Sequence, residues 1–303
     1  MNTLDKKGYL ISIDDWMGNL GNHLIQLSGA LSVATGTSST LTIPEHPLLA
    51  RRVFDLADPR ADNCLEPVSG RFFYKTDCFQ YPVVYDRDRR KLFQDHVYDV
   101  VSKRSAGEYL RALARPASGD KVGPDTLVIN IRSGRDIFRT DPLPQNDYMQ
   151  PPLSFYKHVI TSNGYEDCVI VTESAQLNPC IKALLEWNSN IRIHPHTSVR
   201  DDLRTILSAR HLITCHSTFS WCLALMSRNL QRLYQPASFP IRGVSAFAID
   251  TYTFHNYIKP GEWTCSDEQL GIMLNHTVSE IDVTSNSRLI SGEDTELEPS
   301  CFW

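Results

Sequence analysis

The sequence predicts an α/β protein built on parallel sheets, and three observations carry that prediction. The chain has 303 residues, enough for two domains of ordinary size, each with its own core. Near its start a strand–helix–strand unit has a glycine-rich first turn. Beyond residue 124, five short apolar runs alternate with four segments of helical spacing, as in a parallel sheet covered on both faces.

Tyr9 to Ile13 is a short β-prone run, followed by two acids, Trp16 and the loop Gly18-Asn19-Leu20-Gly21-Asn22. Leu20, Leu24, Leu27, Leu31 and Ala34 then recur at helical spacing, so a helix runs to about Thr35. Ser39 to Ile43 is a second strand, stopped by Pro44. The two glycines permit positive φ and a close backbone approach. The N–H groups at the helix start favour an anion, to which Asn22 could add a directional amide. A plain tight turn capped by Asn19 or Asn22 accounts for the same residues, and both readings stay open. The loop lacks the full G-x-G-x-x-G pattern, which disfavours a classical nicotinamide site.

Residues 51–120 are less patterned. Val97 to Ala114 reads as helical, and the Arg87–Lys91 cluster as a solvated face. Ala117-Ser118-Gly119-Asp120 with Gly123-Pro124 reads as a linker. The expected domains are therefore residues 1–120 and 121–285, with a polar tail over 286–303.

After the linker, strands are expected at Thr126–Ile131, Cys168–Thr172, Ile191–His194, His211–Cys215 and Leu230–Tyr234. The helices between them are Leu153–Thr161, Asn178–Trp187, Val199–Arg210 and Ser217–Ser227. A further helix over Ser266–Leu274 is expected to pack back on the first domain. Three loops should then gather at the carboxyl edge of the sheet, where open α/β sheets bind ligands. The first holds Arg132, Ser133, Arg135 and Asp136; the second begins with Glu173-Ser174; the third is His216-Ser217-Thr218-Phe219-Ser220. Ser217 or Thr218 can cap the helix that follows, and an arginine opposite such a helix start makes a competent diphosphate clamp. His216 reads as a strand-end histidine making a backbone bond, and Asp201-Asp202 as complements to a helix dipole.

Composition excludes several classes. A net charge of −5 argues against broad nucleic-acid binding, which needs a basic face. No signal-peptide core opens the chain, and no run of about 18 apolar residues could span a membrane. The eight cysteines form no C-x-x-C pair and read as structural thiols of a reducing compartment, so a cytoplasmic location is expected and a metal site is not. The sequon Asn275-His276-Thr277 is discounted on the same ground.

Three stretches, in order, resemble the fucosyltransferase superfamily of GT-B fold: the alpha-1,2-fucosyltransferases and, more distantly, the protein O-fucosyltransferases. Residues 18–34 (GNLGNHLIQLSGALSVA) resemble the family's G-x-x-G-N-Q opening, and residues 128–136 (VINIRSGRD) its H-x-R-R-x-D strand-loop. Residues 211–225 (HLITCHSTFSWCLAL) resemble its I-x-x-N-S-T-F-S-W-W segment. The resemblance spans roughly residues 8–235. It implies two Rossmann-like domains with parallel sheets facing a cleft, the first on the acceptor side and the second binding a nucleotide sugar. It also implies inverting, metal-independent transfer from GDP-fucose to a glycan acceptor, with no cofactor.

Arg132 would contact the donor diphosphate and assist the leaving group. Ser217, Thr218 and Phe219 would line the donor pocket, with Gly21 and Asn22 approaching from across the cleft. Asn130 stands where the family has histidine, Ser133 where it often has a second arginine, His216 before S-T-F in place of asparagine, and Cys222 for the second tryptophan. Another GDP- or UDP-hexose donor, or a non-catalytic glycan- or nucleotide-binding role, is therefore carried alongside. For the general base the candidates are Asp136, Glu173 and the acids Asp14 and Asp15.

Overall fold

The computed structural model describes residues 9–13, 15–16, 18–36, 40–49, 53–55, 66–67, 71–75, 80–84, 122–135, 137–138, 148–241 and 247–286. The helix expected over Val97–Ala114, the Arg87–Lys91 cluster, Asp14, Asp136 and the tail beyond Asn286 lie outside them. The described residues fall into two compact units, one within Met1–Arg115 and one within Pro116–Thr295.

The first unit opens β1 (Tyr9–Ser12), α1 (Leu20–Gly36), β2 (Thr40–Thr42), with β1 and β2 parallel. Leu24, Leu27, Ala30 and Ala34 of α1 are buried, as their spacing requires. The strands β3 (Val53–Asp55), β4 (Glu66–Pro67), β5 (Arg71–Lys75) and β6 (Gln80–Val84) complete a sheet of order β3-β2-β1-β6-β5, with β4 on β1. The α/β class is as expected, but this sheet is mixed. The β2·β3, β1·β6 and β5·β6 pairs are antiparallel. The cause is connection length for two of them. Residues 43–52 and 76–79 are too short to carry the crossover of a dozen or more residues that a parallel return needs.

The second unit is more regular. In chain order it runs β7 (Leu127–Asn130), α2 (Leu153–Asn163), β8 (Cys168–Val171), α3 (Pro179–Trp187), β9 (Ile191–Ile193) and α4 (Val199–Ser208). It continues through β10 (His211–Ile213), α5 (Thr218–Met226), β11 (Arg232–Pro236), β12 (Ala248–Phe254), α6 (Asp267–Asn275) and β13 (Ile281–Asn286). The strand order is β13-β12-β11-β10-β7-β8-β9, with every pair parallel except β12·β13. From β7 the chain winds outward to β9, then returns to lay β10, β11 and β12 on the other side. That is the doubly wound Rossmann order, and it reverses between β7 and β10.

The central strands are buried on both faces, and for that reason β7 and β8 read as continuous apolar runs in the sequence. Phe155 and Tyr156 of α2 and Leu184 of α3 seal one face; each such side chain contributes about 1.5–3 kcal/mol through burial. Helix starts are set locally. Asn178 Oδ1 accepts from Cys180 N ahead of Pro179, and Ser198 caps α4 through Asp201 N.

One packing expectation is corrected. The helix expected near Ser266 is α6, but it packs on α2 and α3 of its own unit, burying Met273. Trp263, just before it, is buried and donates from Nε1 to the Ile137 carbonyl, which ties the end of this unit to the loop after β7. The aromatic stretch 247–258 supplies β12, and β13 follows.

Candidate functional site at the carboxyl edge of the second sheet

Because β8, β7 and β10 are adjacent and parallel, the loops after them meet at one edge, at the point where the strand order reverses. A buried polar layer lies at the strand ends. Asn130, the last residue of β7, donates from Nδ2 to the Val171 carbonyl at 3.2 Å and accepts from the Cys215 thiol at 3.4 Å. Ser133 is fully buried, its hydroxyl 2.6 Å from Thr172 Oγ1 and its N–H donating to Glu173 Oε2 at 2.8 Å. The first two loops are thus fastened to each other.

Arg132 lies between these two anchors and is half-buried. Its guanidinium carbon stands 5.5 Å from the Tyr148 ring centroid, and its carbonyl accepts from Asn178 Nδ2. The ring face attracts the cation electrostatically and helps to hold it in place. Beside it the third loop turns directly into α5. Ser217 is the N-cap, its Oγ accepting from Phe219 N at 3.2 Å, and Ser220 Oγ reaches back to the Cys215 and Ser217 carbonyls. Thr218 and Phe219 form the half-exposed first turn of that helix.

Aromatic rings line one side. His216 stacks on Phe239 with ring centroids 4.6 Å apart, and Tyr148 stands 5.8 Å from His216. Tyr148 is a neutral phenol, since burial holds its pKa well above the ordinary value. Burial and the Glu173 charge push the Cys215 thiol up to about 11, so it is an inert neutral group beneath the site and no nucleophile.

The structure also separates the two acids at the start of α4. Asp201 behaves as the dipole reading expects, accepting from Thr197 and Ser198. Asp202 is 6% exposed, and burial raises its pKa although His196 Nδ1 sits 2.6 Å from its Oδ2. Its Oδ1 is buried without a hydrogen-bond partner among the described residues, and His194 Nε2 is 3.8 Å away. A carboxylate in that condition can accept from an incoming N–H donor.

In the first unit, Gly18 has φ +74°, and a Cβ built there would stand 2.3 Å from Asn22 Nδ2. Gly21 and Asn22 lie in the first turn of α1, with the Asn22 amide folded over Gly18. Asp136, a proposed base, lies outside the described residues.

No family model and no curated protein matches the chain. Among solved structures it is similar to POFUT1 in complex with GDP-fucose, at 13% identity and a TM-score of 0.45, over 79% of this chain and 99% of that one. It is similar to POFUT1 in complex with GDP, at 11% identity and a TM-score of 0.43, over 78% and 99%. It is also similar to the E. coli heptosyltransferase WaaC with ADP-2-deoxy-2-fluoro heptose, at 8% identity and a TM-score of 0.32, over 60% and 53%. With likeness this low, what the chain does has to be read from its own side chains.

Three contributors to this edge are not foreseen by sequence. Tyr148 and Phe239 come from loops far from the motifs in sequence, and nothing local marks them. Asp202 carries a signal that could have been found: with Thr205 and Ile206 it shares the inward face of α4, whereas Asp201 does not. No helix among the described residues is long and apolar enough to cross a membrane.

Proposed function

We propose that the chain is an inverting, metal-independent glycosyltransferase of GT-B type that transfers fucose from GDP-fucose to a glycan hydroxyl. One observation carries this reading: the loop that holds Arg132 and the N-terminus of α5 follow adjacent parallel strands, β7 and β10, between which the strand order reverses. Those elements suit a nucleoside diphosphate, because the guanidinium pairs two oxygens and the helix start favours negative charge. The order of the three family-like motifs supports the donor assignment.

In the reaction, the bond between the sugar's anomeric carbon and the diphosphate oxygen breaks as the acceptor oxygen bonds the opposite face of that carbon. Arg132 and the Ser217–Phe219 turn stabilise the charge that collects on the departing diphosphate. The acceptor's proton passes to a carboxylate. Glu173, oriented through Oε2 by the Ser133 N–H, and Asp136 are the proposed acceptors of that proton. Asp202 Oδ1 offers a place for a base N–H. Gly21 and Asn22 are proposed, on the motif resemblance, as the first unit's contribution to donor binding.

Arg132→Ala should lower kcat by about 10²–10³, comparable to loss of one oxyanion donor. Its melting temperature should stay near that of the parent, because the side chain is only partly buried. Turnover within a few-fold of the parent would overturn the clamp assignment.

A second reading, another GDP- or UDP-hexose donor, is favoured by a specific observation. Asn130 and Ser133, at the positions where the family carries histidine and often arginine, are buried and bonded to scaffold atoms. Thermal-shift titration against GDP, UDP and their sugars separates the readings, since a ligand at about 100 times its Kd adds roughly 2.7 kcal/mol of stability. A chain that binds a nucleotide sugar yet neither transfers nor hydrolyses it would be a binding protein.

A further inference from the structure

Outside the edge just described, a cluster in the first unit has a directionality that none of the motifs contains. His23 of α1 and His46 of the segment after β2 are joined at 3.1 Å, Nδ1 to Nε2. At one end the Leu48 N–H donates to His46 Nδ1 at 3.1 Å; at the other, His23 Nε2 lies 2.8 Å from the Gly18 carbonyl. Both end groups have fixed polarity. An amide N–H only donates and a carbonyl only accepts. His46 must therefore be bare at Nδ1 and protonated at Nε2, and His23 likewise. Only then does every bond in the chain Leu48→His46→His23→Gly18 have one proton.

The rings are packed as well as bonded. Trp16, His23 and His46 form a triangle with all three centroid separations at 5.2 Å, and Trp16 Nε1 donates to the Glu45 carbonyl. The atom at the end of the relay belongs to Gly18, whose φ is positive. The next turn of chain is reported by Asn22 N and His23 N, which both donate to the Asn19 carbonyl.

We propose that His46 and His23 are positioning residues: a neutral, tautomer-locked relay that holds the Gly18 turn at the start of α1 and releases it on acidification. A proton added at His46 Nδ1 would face the Leu48 N–H; one added at His23 Nδ1 would face the His46 N–H. Either addition sets two donors head to head. Among the described residues, the charged groups on the elements packed here are Asp15 and Glu45; α1 carries no charge other than His23. Asp15 favours a proton on His23, but burial outweighs it and lowers the His23 pKa. Burial and the neighbouring His23 hold His46 at about 4.

The sign follows from linkage. The locked form resists a proton that the released form accepts near 6.5, so locking is complete above that pH. It weakens as pH falls from 6.5 towards 4, by up to about tenfold per unit for each histidine that is taken up.

The test uses the full chain with ¹⁵N-labelled histidine. At pH 7.5 two of the ten histidines should show the Nε2–H tautomer and titrate below the ordinary imidazole range, assigned by their loss in His23→Gln and His46→Gln. Protection of the Asn22 and His23 amides, corrected for intrinsic exchange, should fall between pH 6.5 and 4.5. His46→Gln keeps an N–H donor near the Nε2 position but cannot titrate; it should retain protection at pH 7.5 and show a smaller pH response, the part left to His23. His46→Phe, of similar shape, should lose protection at all pH values. An Nδ1–H tautomer or an ordinary pKa at either ring overturns the relay, as does unchanged amide protection in His46→Phe.

The consequence for nucleotide binding rests on the function proposed above. GDP affinity, taken as a ratio to His46→Gln so that the nucleotide's own titration cancels, should fall severalfold between pH 7.5 and 5.0. Equal ratios at both pH values would separate the turn from binding. Absence of GDP binding at either pH, with the relay spectra as expected, would instead overturn the nucleotide reading.

Discussion

In the second unit the side chains in the turns at the carboxyl ends of β7 and β10 are fastened by hydroxyl, amide and thiol groups, with the Glu173 carboxylate on the Ser133 N–H, whereas in the first unit the turn after β1 is fastened by imidazoles. Both units share the device of a strand running into a turn that opens a helix. The groups that hold the side chains of Asn130, Ser133 and Ser217 do not change charge anywhere near neutral pH: the Cys215 thiol is held at about 11, and the rest are amides and hydroxyls. The groups that hold Gly18 change charge below neutrality. The comparison teaches that one fold element can be rigid across pH or responsive to it, depending only on which side chains hold it.

The largest effect should come from removing the bond that joins β7 to both its neighbours. Asn130→Ala deletes the amide that donates to Val171 O and accepts from Cys215, and it leaves a small void in a sealed layer. It should lower unfolding stability by about 2–3 kcal/mol, combining a lost buried hydrogen bond with a cavity. Urea unfolding at pH 5.5 and 7.5 checks it. The loss should be the same at both, and a strongly pH-dependent loss would erase the contrast between the units.

Much of this architecture is legible in the sequence, and the illegible parts have physical causes. β7 and β8 are unmistakable because strands buried on both faces need unbroken apolar runs. Ser217 is legible because a hydroxyl cap is a local interaction of two residues' reach. The mixed pairing of the first sheet is less so, since short connections decide it and the strands themselves look alike. Arg132 is readable as a cation on a loop, but its seat on Tyr148 is not, because the contact joins two loops. The His23–His46 relay is invisible for the same reason: 23 residues separate rings whose meeting depends on how β2 delivers His46 to α1.

A middle-sized effect is expected at Gly18. Alanine there pays the left-handed backbone penalty of about 1–2 kcal/mol, and its methyl group would stand 2.3 Å from Asn22 Nδ2. The asparagine side chain can swing away, so the clash itself is relieved while the Asn22 amide is displaced. Gly18→Ala should therefore combine a modest drop in melting temperature with a larger loss of GDP affinity. An affinity unchanged from the parent would remove Asn22 from the donor site.

The smallest effect should come at Ser217, and it sharpens the comparison most directly. Ser217→Ala removes the side-chain acceptor for Phe219 N at the start of α5, which costs about 1 kcal/mol for an N-cap. Ser217→Asn, also a good cap, should restore most of that stability. Because no titratable group takes part, both the loss and the rescue should be constant from pH 5 to 8, in contrast to the His46 variants. If Ser217 also faces the diphosphate, the asparagine variant recovers folding without recovering kcat. Recovery of both would assign the hydroxyl to helix capping alone and leave the charge on the departing diphosphate to Arg132.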